Sequence, residues 1–282
     1  MKTLIIGSEG QLGRELMKLY PDSIGTSHVP SKASYLPIEN EDSIIKFLTS
    51  EEPDVVINCA ALTNVDRCEK EKEYAYKVNG LAVRYMAMKC KEIGAKLVHI
   101  STDYVFDGTN GNYIENAPPN PVNYYGLSKL AGEQFAYSVK GNLVIRASGV
   151  FGYCNNFPLL VYKKLKSGET VGVIKGFYSP IHAKELALAV KKLIELKEEG
   201  IVNVAGERFS RMEFALNIAE YFGLDKKLVR ESDQVALLQA KRPFDSSLNI
   251  EKARKLIDFD FYSTKSNLEA LRYSIQAVEK QI

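Results

Sequence analysis

The 282-residue chain has no tryptophan, only three histidines (His28, His99, His182), and four cysteines (Cys59, Cys68, Cys90, Cys154) without a Cys-x-x-Cys pair. Clustered zinc ligands are therefore missing, structural disulfides are not expected, no metal is assigned, and a reducing cytoplasmic setting is the default. With so few imidazoles, acid–base chemistry near neutral pH falls to another residue type. Charge of one sign is lacking too: 37 basic against 35 acidic side chains leave a net +2, so no basic field argues for nucleic acid. The nearest thing to a charged block, residues 69–73, alternates in sign and reads as a solvated helix face. No apolar run approaches a membrane span, and Leu4-Ile5-Ile6 is far too short for a signal-peptide core. Neither nucleic acid nor membrane is an expected partner.

The first half alternates short apolar runs with helical periodicity. Residues 3–6 form an apolar run ending at Gly7, followed by the helical spacing Leu12, Leu16, Leu19. A second strand is expected over 23–27, a helix over 41–51, and a strand over 53–58. One long helix is expected over 74–93, stopped by Gly94, and then a strand over 96–100 bounded by Ser101-Thr102. A loop rich in Gly, Asn and Pro (107–123) leads into a helix over 125–139 and a strand over 142–146. Fully apolar strands separated by helices predict an α/β fold of the Rossmann type: a doubly wound parallel sheet covered on both faces. Beyond Gly152 the rhythm loosens, with helices expected over 157–166, 183–197 and 211–222 and strand-like pieces over 170–174 and 201–204. The expected division is a dinucleotide-binding domain, 1–150, and a smaller, interwoven substrate-binding region, 151–282, some of whose segments return to the core.

Gly7-Ser8-Glu9-Gly10-Gln11-Leu12-Gly13 joins the first strand to the first helix. Glycine permits the tight turn and close approach of backbone N–H groups to a pyrophosphate, and the helix N-terminus presents its dipole to that anion. An acid at the end of the second strand would select NAD. The sequence shows Thr26, Ser27, His28 and later Lys32, which leans toward NADPH over NADH, although ordinary loop residues read equally well.

Tyr125 and Lys129 are four apart at a helix start and share a face, so the ammonium is expected to lower the phenol's pKa toward neutrality. Tyr85 with Lys89 and Tyr162 with Lys166 share the spacing, inside amphipathic helices where such a pair is an ordinary surface feature. Context favours Tyr125, which follows Pro118-Pro119-Asn120-Pro121 at the carboxyl edge of the sheet. Thr102 ends a buried strand at the same edge, where its hydroxyl could polarise a carbonyl undergoing reduction.

Five segments together resemble the extended short-chain dehydrogenases, and more narrowly the dTDP-4-dehydrorhamnose reductase family. They are the 7–13 loop, Asn58-Cys59-Ala60-Ala61-Leu62-Thr63-Asn64-Val65-Asp66, Ser101-Thr102-Asp103-Tyr104-Val105-Phe106-Asp107-Gly108, Tyr125-Gly126-Leu127-Ser128-Lys129 and Arg242-Pro243-Phe244-Asp245-Ser246-Ser247-Leu248. The resemblance covers nearly the whole chain. It implies reduction of the C4 ketone of a dTDP-linked 4-dehydro-6-deoxyhexose by NADPH or NADH, giving dTDP-L-rhamnose. It assigns Tyr125 as proton donor, Lys129 as the group that tunes it and holds the ribose, and Thr102 as orienter of the ketone. Gly7, Gly10, Gln11, Leu12, Ala60, Ala61 and Thr63 would hold the cofactor, together with Tyr125 and Lys129. Thr102, Asp103, Tyr104 and Arg242 would face the sugar nucleotide, and a homodimer is the family's usual assembly.

Three positions depart from the family pattern. A Trp that packs on the sugar is replaced by Gly149, an acid near the adenine by Pro37 (with Ile38 beside it), and a Ser-Pro-Thr turn by Ser179-Pro180-Ile181. Two other classes compete with the reductase reading. One is a non-catalytic relative resembling the regulatory subunit of methionine adenosyltransferase, for which Thr102, Tyr125 and Lys129 would have no chemical use. The other is an epimerase or dehydratase, which would want further acid–base residues near Thr102 beyond Asp103.

Overall fold

A computed structural model describes residues 1–29, 33–153, 156–232 and 239–279. Its centre is a seven-stranded parallel sheet of β1 (Thr3–Ile6), β2 (Ile24–Ser27), β3 (Ser34–Tyr35), β4 (Val55–Asn58), β5 (Lys96–Thr102), β6 (Leu143–Ala147) and β9 (Gly200–Asn203). The strand order is β3-β2-β1-β4-β5-β6-β9. The runs TLII, VVIN and LVIRA are buried along their whole length, as strands covered on both faces must be. This is the doubly wound α/β arrangement that the apolar rhythm predicts. Strand order reverses between β1 and β4, which opens a crevice beyond their carboxyl ends.

One face of the sheet is covered by α1 (Gln11–Leu19), α8 (Ala183–Glu195) and α10 (Glu251–Leu256), through Leu12, Leu16, Leu186, Val190, Leu193 and Ala253. The other is covered by α2 (Glu41–Glu51), α5 (Ala82–Ile93) and α6 (Tyr124–Tyr137), through Ile44, Leu48, Val83, Met86 and Ala136. A third cluster joins α7 (Phe157–Lys166), α9 (Arg211–Tyr221) and α11 (Thr264–Glu279) to the short strand β7 (Val171–Val173). There β7 pairs with β11 (Val229–Glu231), and β8 (Phe177–Tyr178) pairs antiparallel with β10 (Phe209–Ser210). Thus β9, α8 and α10 from the second half complete the sheet and core of the first.

The long helix expected over 74–93 is interrupted. The chain runs through α3 (Val65–Lys70) and α4 (Lys72–Tyr76), widens into a π turn at Lys77–Leu81, and only then enters α5, which stops at Gly94 with φ of 74°. The widened turn carries Asn79, fully buried. Its side chain accepts from Leu62 N (2.8 Å) and donates to Leu62 O (3.1 Å) and Ser128 Oγ (3.0 Å). The interruption therefore ties the loop after β4 to α6. No helix among the described residues is long and apolar enough to cross a membrane.

Candidate active site

A cleft of about 770 Å³ opens along the carboxyl edge of the sheet. At one end lies the turn from β1 into α1. Gly7 (φ 80°) and Ser8 both donate to Thr26 O, at 3.1 and 3.0 Å, which folds the turn against β2. A Cβ at Gly7 would stand 2.9 Å from Ala60 N, and one at Gly13 would collide with the carbonyl of Gly7. At Gly10 a Cβ would meet only Gly7 O, at 3.3 Å, so its absence leaves open the space in front of the helix. Helix α1 has no side-chain cap and no acid in its first turn. Its first N–H groups and dipole are therefore directed at the cleft, and a nucleotide pyrophosphate fits there. Gly7, Gly10, Gln11, Leu12, Ala60, Ala61 and Thr63 all line this end.

An acid does stand at the end of β2, although the local sequence shows none. Ser27 Oγ donates to Glu9 Oε2 at 3.0 Å, and Glu9, Ser27 and His28 line the cleft together. The carboxylate arrives from the glycine loop because the Thr26 hydrogen bonds draw that loop across. The lean toward NADPH rested on an acid-free strand end and loses that support. Its other support, Lys32, lies outside the described residues.

Toward the middle of the cleft, α6 starts at Tyr124, capped by Asn123, whose side chain accepts from Gly126 N at 2.8 Å. Gly126 is required here, since a Cβ would strike the carbonyl of Tyr104. This close approach sets Tyr125 against the end of β5, where Tyr104 meets its ring edge-on at 5.8 Å. Thr102, Tyr125 and Lys129 line one wall. Lys129 is 2% exposed, donates from Nζ to Ile100 O at 2.7 Å, and lies 3.4 Å from His99 Nε2. Burial pushes its pKa down to about 8, against the opposing pull of Glu133 and Cys59. His99, held from the other side by Asn58 Nδ2 at 3.2 Å, is kept neutral by burial and by the same ammonium.

The expected lowering of the Tyr125 pKa is not found. Burial pushes it above its ordinary value, and the Thr102 hydroxyl pulls it partly back. The physical reason is burial of the phenol, while the Lys129 ammonium donates to the Ile100 carbonyl and faces His99. Tyr125 therefore holds its proton at neutral pH, the state a proton donor needs.

The family profile described as the RmlD substrate binding domain matches residues 1–276. The chain is 34% identical over 273 residues to a dTDP-4-dehydrorhamnose reductase of Aggregatibacter actinomycetemcomitans, covering 90% of this chain and 92% of that protein. It superimposes with a TM-score of 0.90, at 48% identity, on a hypothetical dTDP-4-dehydrorhamnose reductase from Sulfolobus tokodaii, covering 96% of this chain and 99% of the other. On the dTDP-4-dehydrorhamnose reductase of Bacillus anthracis in complex with NADP the TM-score is 0.88 at 32% identity, covering 97% and 99%. The chain belongs to the dTDP-4-dehydrorhamnose reductase family. It is an NAD(P)H-dependent oxidoreductase of the Rossmann class.

At the far end of the cleft the family resemblance and the geometry part in two places. Asp103 lines the cleft but is 3% exposed, and its carboxylate takes hydrogen bonds from Thr102 (3.0 Å), Ser148 (2.8 Å) and Ser246 (2.5 Å). Burial raises its pKa and the three hydroxyls lower it. It works as a clasp joining β5, β6 and the late Arg-Pro-x-Asp-Ser-Ser-Leu run, and through that clasp it fixes Thr102. Arg242 is not among the residues lining the cleft. Its guanidinium is taken by Asp66 Oδ2 (3.1 Å) and Ala240 O (2.8 Å).

Sequence reasoning passed over Tyr178 and Arg211, which line this end of the cleft together with Tyr104. Gly149, where the family's Trp is missing, has φ of 49°, and a Cβ there would stand 2.6 Å from the Tyr178 ring. The decoy pairs lie outside the cleft. Tyr85 and Lys89 are not wholly superficial, because Lys89 is 7% exposed and held by Glu92 at 2.6 Å, with its stem sunk among its neighbours.

Proposed function

We propose that this chain reduces the C4 ketone of dTDP-4-dehydro-6-deoxy-L-mannose to dTDP-L-rhamnose, using NADPH or NADH. The observation that carries this reading is one cleft in which Thr102, Tyr125 and Lys129 form a wall and the uncapped start of α1 forms an end. A reduced nicotinamide, when bound, supplies hydride. The chain's own residues do the rest. The Gly7–Gly13 turn, with Ala60, Ala61 and Thr63, binds the dinucleotide. The Thr102 hydroxyl turns its single proton from Asp103 Oδ1 to the ketone oxygen and orients it. The Tyr125 phenol then delivers its proton to that oxygen as the carbonyl carbon is reduced, so that C=O becomes CH–OH. Lys129 keeps a positive charge beside the ribose and the departing proton. Residues 1–150 hold the cofactor, and most of the sugar nucleotide lies against residues 151–282.

The test is to incubate the purified protein with NADPH or NADH and a panel of dTDP-4-keto-6-deoxy sugars while following absorbance of the reduced cofactor. Turnover is expected with at least the L-mannose derivative, and Tyr125→Phe should lower it by about 10²–10⁴-fold with cofactor affinity kept. Tight cofactor binding without turnover of any sugar would replace this reading with the regulatory one. Turnover unaffected in Tyr125→Phe would overturn the assigned proton donor.

A further inference from the structure

Two arginines of the second half, neither lining the cleft, are already neutralised. Arg242 is paired with Asp66, and Arg208 with Asp245 Oδ2 at 2.6 Å while it stacks over Phe177 at 4.0 Å. Arg211 is different. It lines the cleft, and no carboxylate stands within ion-pairing distance of it among the described residues. It is nevertheless held in place. Its backbone N–H donates to Gly176 O at 3.0 Å as the first residue of α9, behind the Ser210–Glu213 capping box. Its guanidinium lies 4.6 Å over the Tyr178 ring, and burial raises the pKa of the neighbouring Tyr104 while this charge lowers it. Tyr178 can take this position because residue 149 is glycine, since any Cβ there would meet the ring. The substitution that removes the family's Trp thus makes room for a tyrosine shelf carrying a cation.

The cleft's other described cation, Lys129, is buried on the Ile100 carbonyl, and its acids are Glu9 at the ribose end and the fully bonded Asp103. A fixed, aromatic-backed guanidinium whose charge reaches the buried Asp103 without forming an ion pair is suited to a diphosphate, which it can grip through two parallel N–H groups. We propose that Arg211, positioned by Tyr178, binds the diphosphate of the nucleotide sugar, whereas the family resemblance places Arg242 against that ligand. The proposal rests on the reductase reading for its ligand class, but equilibrium binding tests it without turnover.

Thymidine diphosphate is the probe, titrated calorimetrically into NADH-loaded protein. Arg211→Gln should weaken it about 10–100-fold, with NADH affinity and melting temperature unchanged. Arg211→Lys should recover part of the loss, and the parent's affinity should fall with added salt more steeply than the variant's. Arg242→Gln should leave thymidine diphosphate affinity within a few-fold of the parent. Parent-like affinity in Arg211→Gln, a loss confined to Arg242→Gln, or no binding of thymidine diphosphate by the parent would each overturn the assignment. Arg211-dependent binding in a protein that reduces no sugar would sustain it and reject only the proposed reaction.

Discussion

Replacing Lys129 by methionine should abolish the chemistry and make the protein more stable. Lys129 is 2% exposed, and burial takes its pKa from 10.5 to about 8. At about 1.4 kcal/mol per unit, holding the ammonium in the fold below pH 8 costs about 3 kcal/mol. Methionine fills nearly the same volume without charge, while losing the hydrogen bond to Ile100 O returns about 1–2 kcal/mol. The variant should therefore gain about 1–2 kcal/mol at pH 7, a rise of about 2–4 °C in melting temperature. The sign with pH follows from linkage. Between the folded value of about 8 and the unfolded 10.5 the unfolded chain binds more protons, so the parent's stability rises with pH across that window and the penalty vanishes above it. The variant's advantage is then largest below pH 8 and shrinks toward zero by about pH 10. Denaturant unfolding of parent and variant at several pH values measures the difference directly. A variant less stable than the parent at pH 7, or an advantage that does not change with pH, would refute the reasoning.

Three further outcomes are expected. Thr102→Val should lower kcat by about 10–10³-fold with little change in NADH affinity, because the proposed mechanism then lacks its donor to the ketone oxygen; steady-state kinetics and cofactor titration separate the two effects. Glu9→Gln should raise kcat/KM with NADPH relative to NADH by roughly tenfold, since a carboxylate at the end of β2 opposes a 2′-phosphate; an unchanged ratio would remove Glu9 from cofactor selection. Glu133→Gln should destabilise by about 3–5 kcal/mol, because it strands the buried Arg146 whose Nε and Nη2 Glu133 grips with both carboxylate oxygens. It should also move the alkaline limb of activity to lower pH, since Glu133 is the largest influence holding the Lys129 pKa up.

The glycine turn, the buried parallel strands and the Tyr125–Lys129 helix were legible because their signals are local. Each needs only a run of apolar residues, a glycine spacing or a cap. What stayed hidden depends on pairs distant in sequence. Glu9 reaches Ser27 across 18 positions, and Asn79 clamps Leu62 and Ser128 from a π turn that no helical period announces. The two-residue strands β3, β8 and β10 are too short to show alternation, so the shelf formed by Tyr178 had no signature. The pKa of Tyr125 was misjudged for the same reason: spacing shows that Lys129 shares its face but not that the phenol is buried while the ammonium turns to Ile100. Arg242 stood in a recognisable motif, and only the fold reveals that Asp66 already occupies it.

The clasp at Asp103 has a consequence for how the protein comes into being. Its tightest partner, Ser246, is made 143 residues later, and the adjoining backbone bonds of Ser247 and Asn249 fasten the loop at Tyr113. A ribosome will have released the whole nucleotide-binding crossover long before the segment that fixes Thr102 emerges. The young chain can therefore acquire its glycine-rich turn first, while the clasp that holds Thr102 waits for residues 246–249. The two ends of one cleft are thus completed at different times, the second only when a segment 143 residues downstream of Asp103 has emerged.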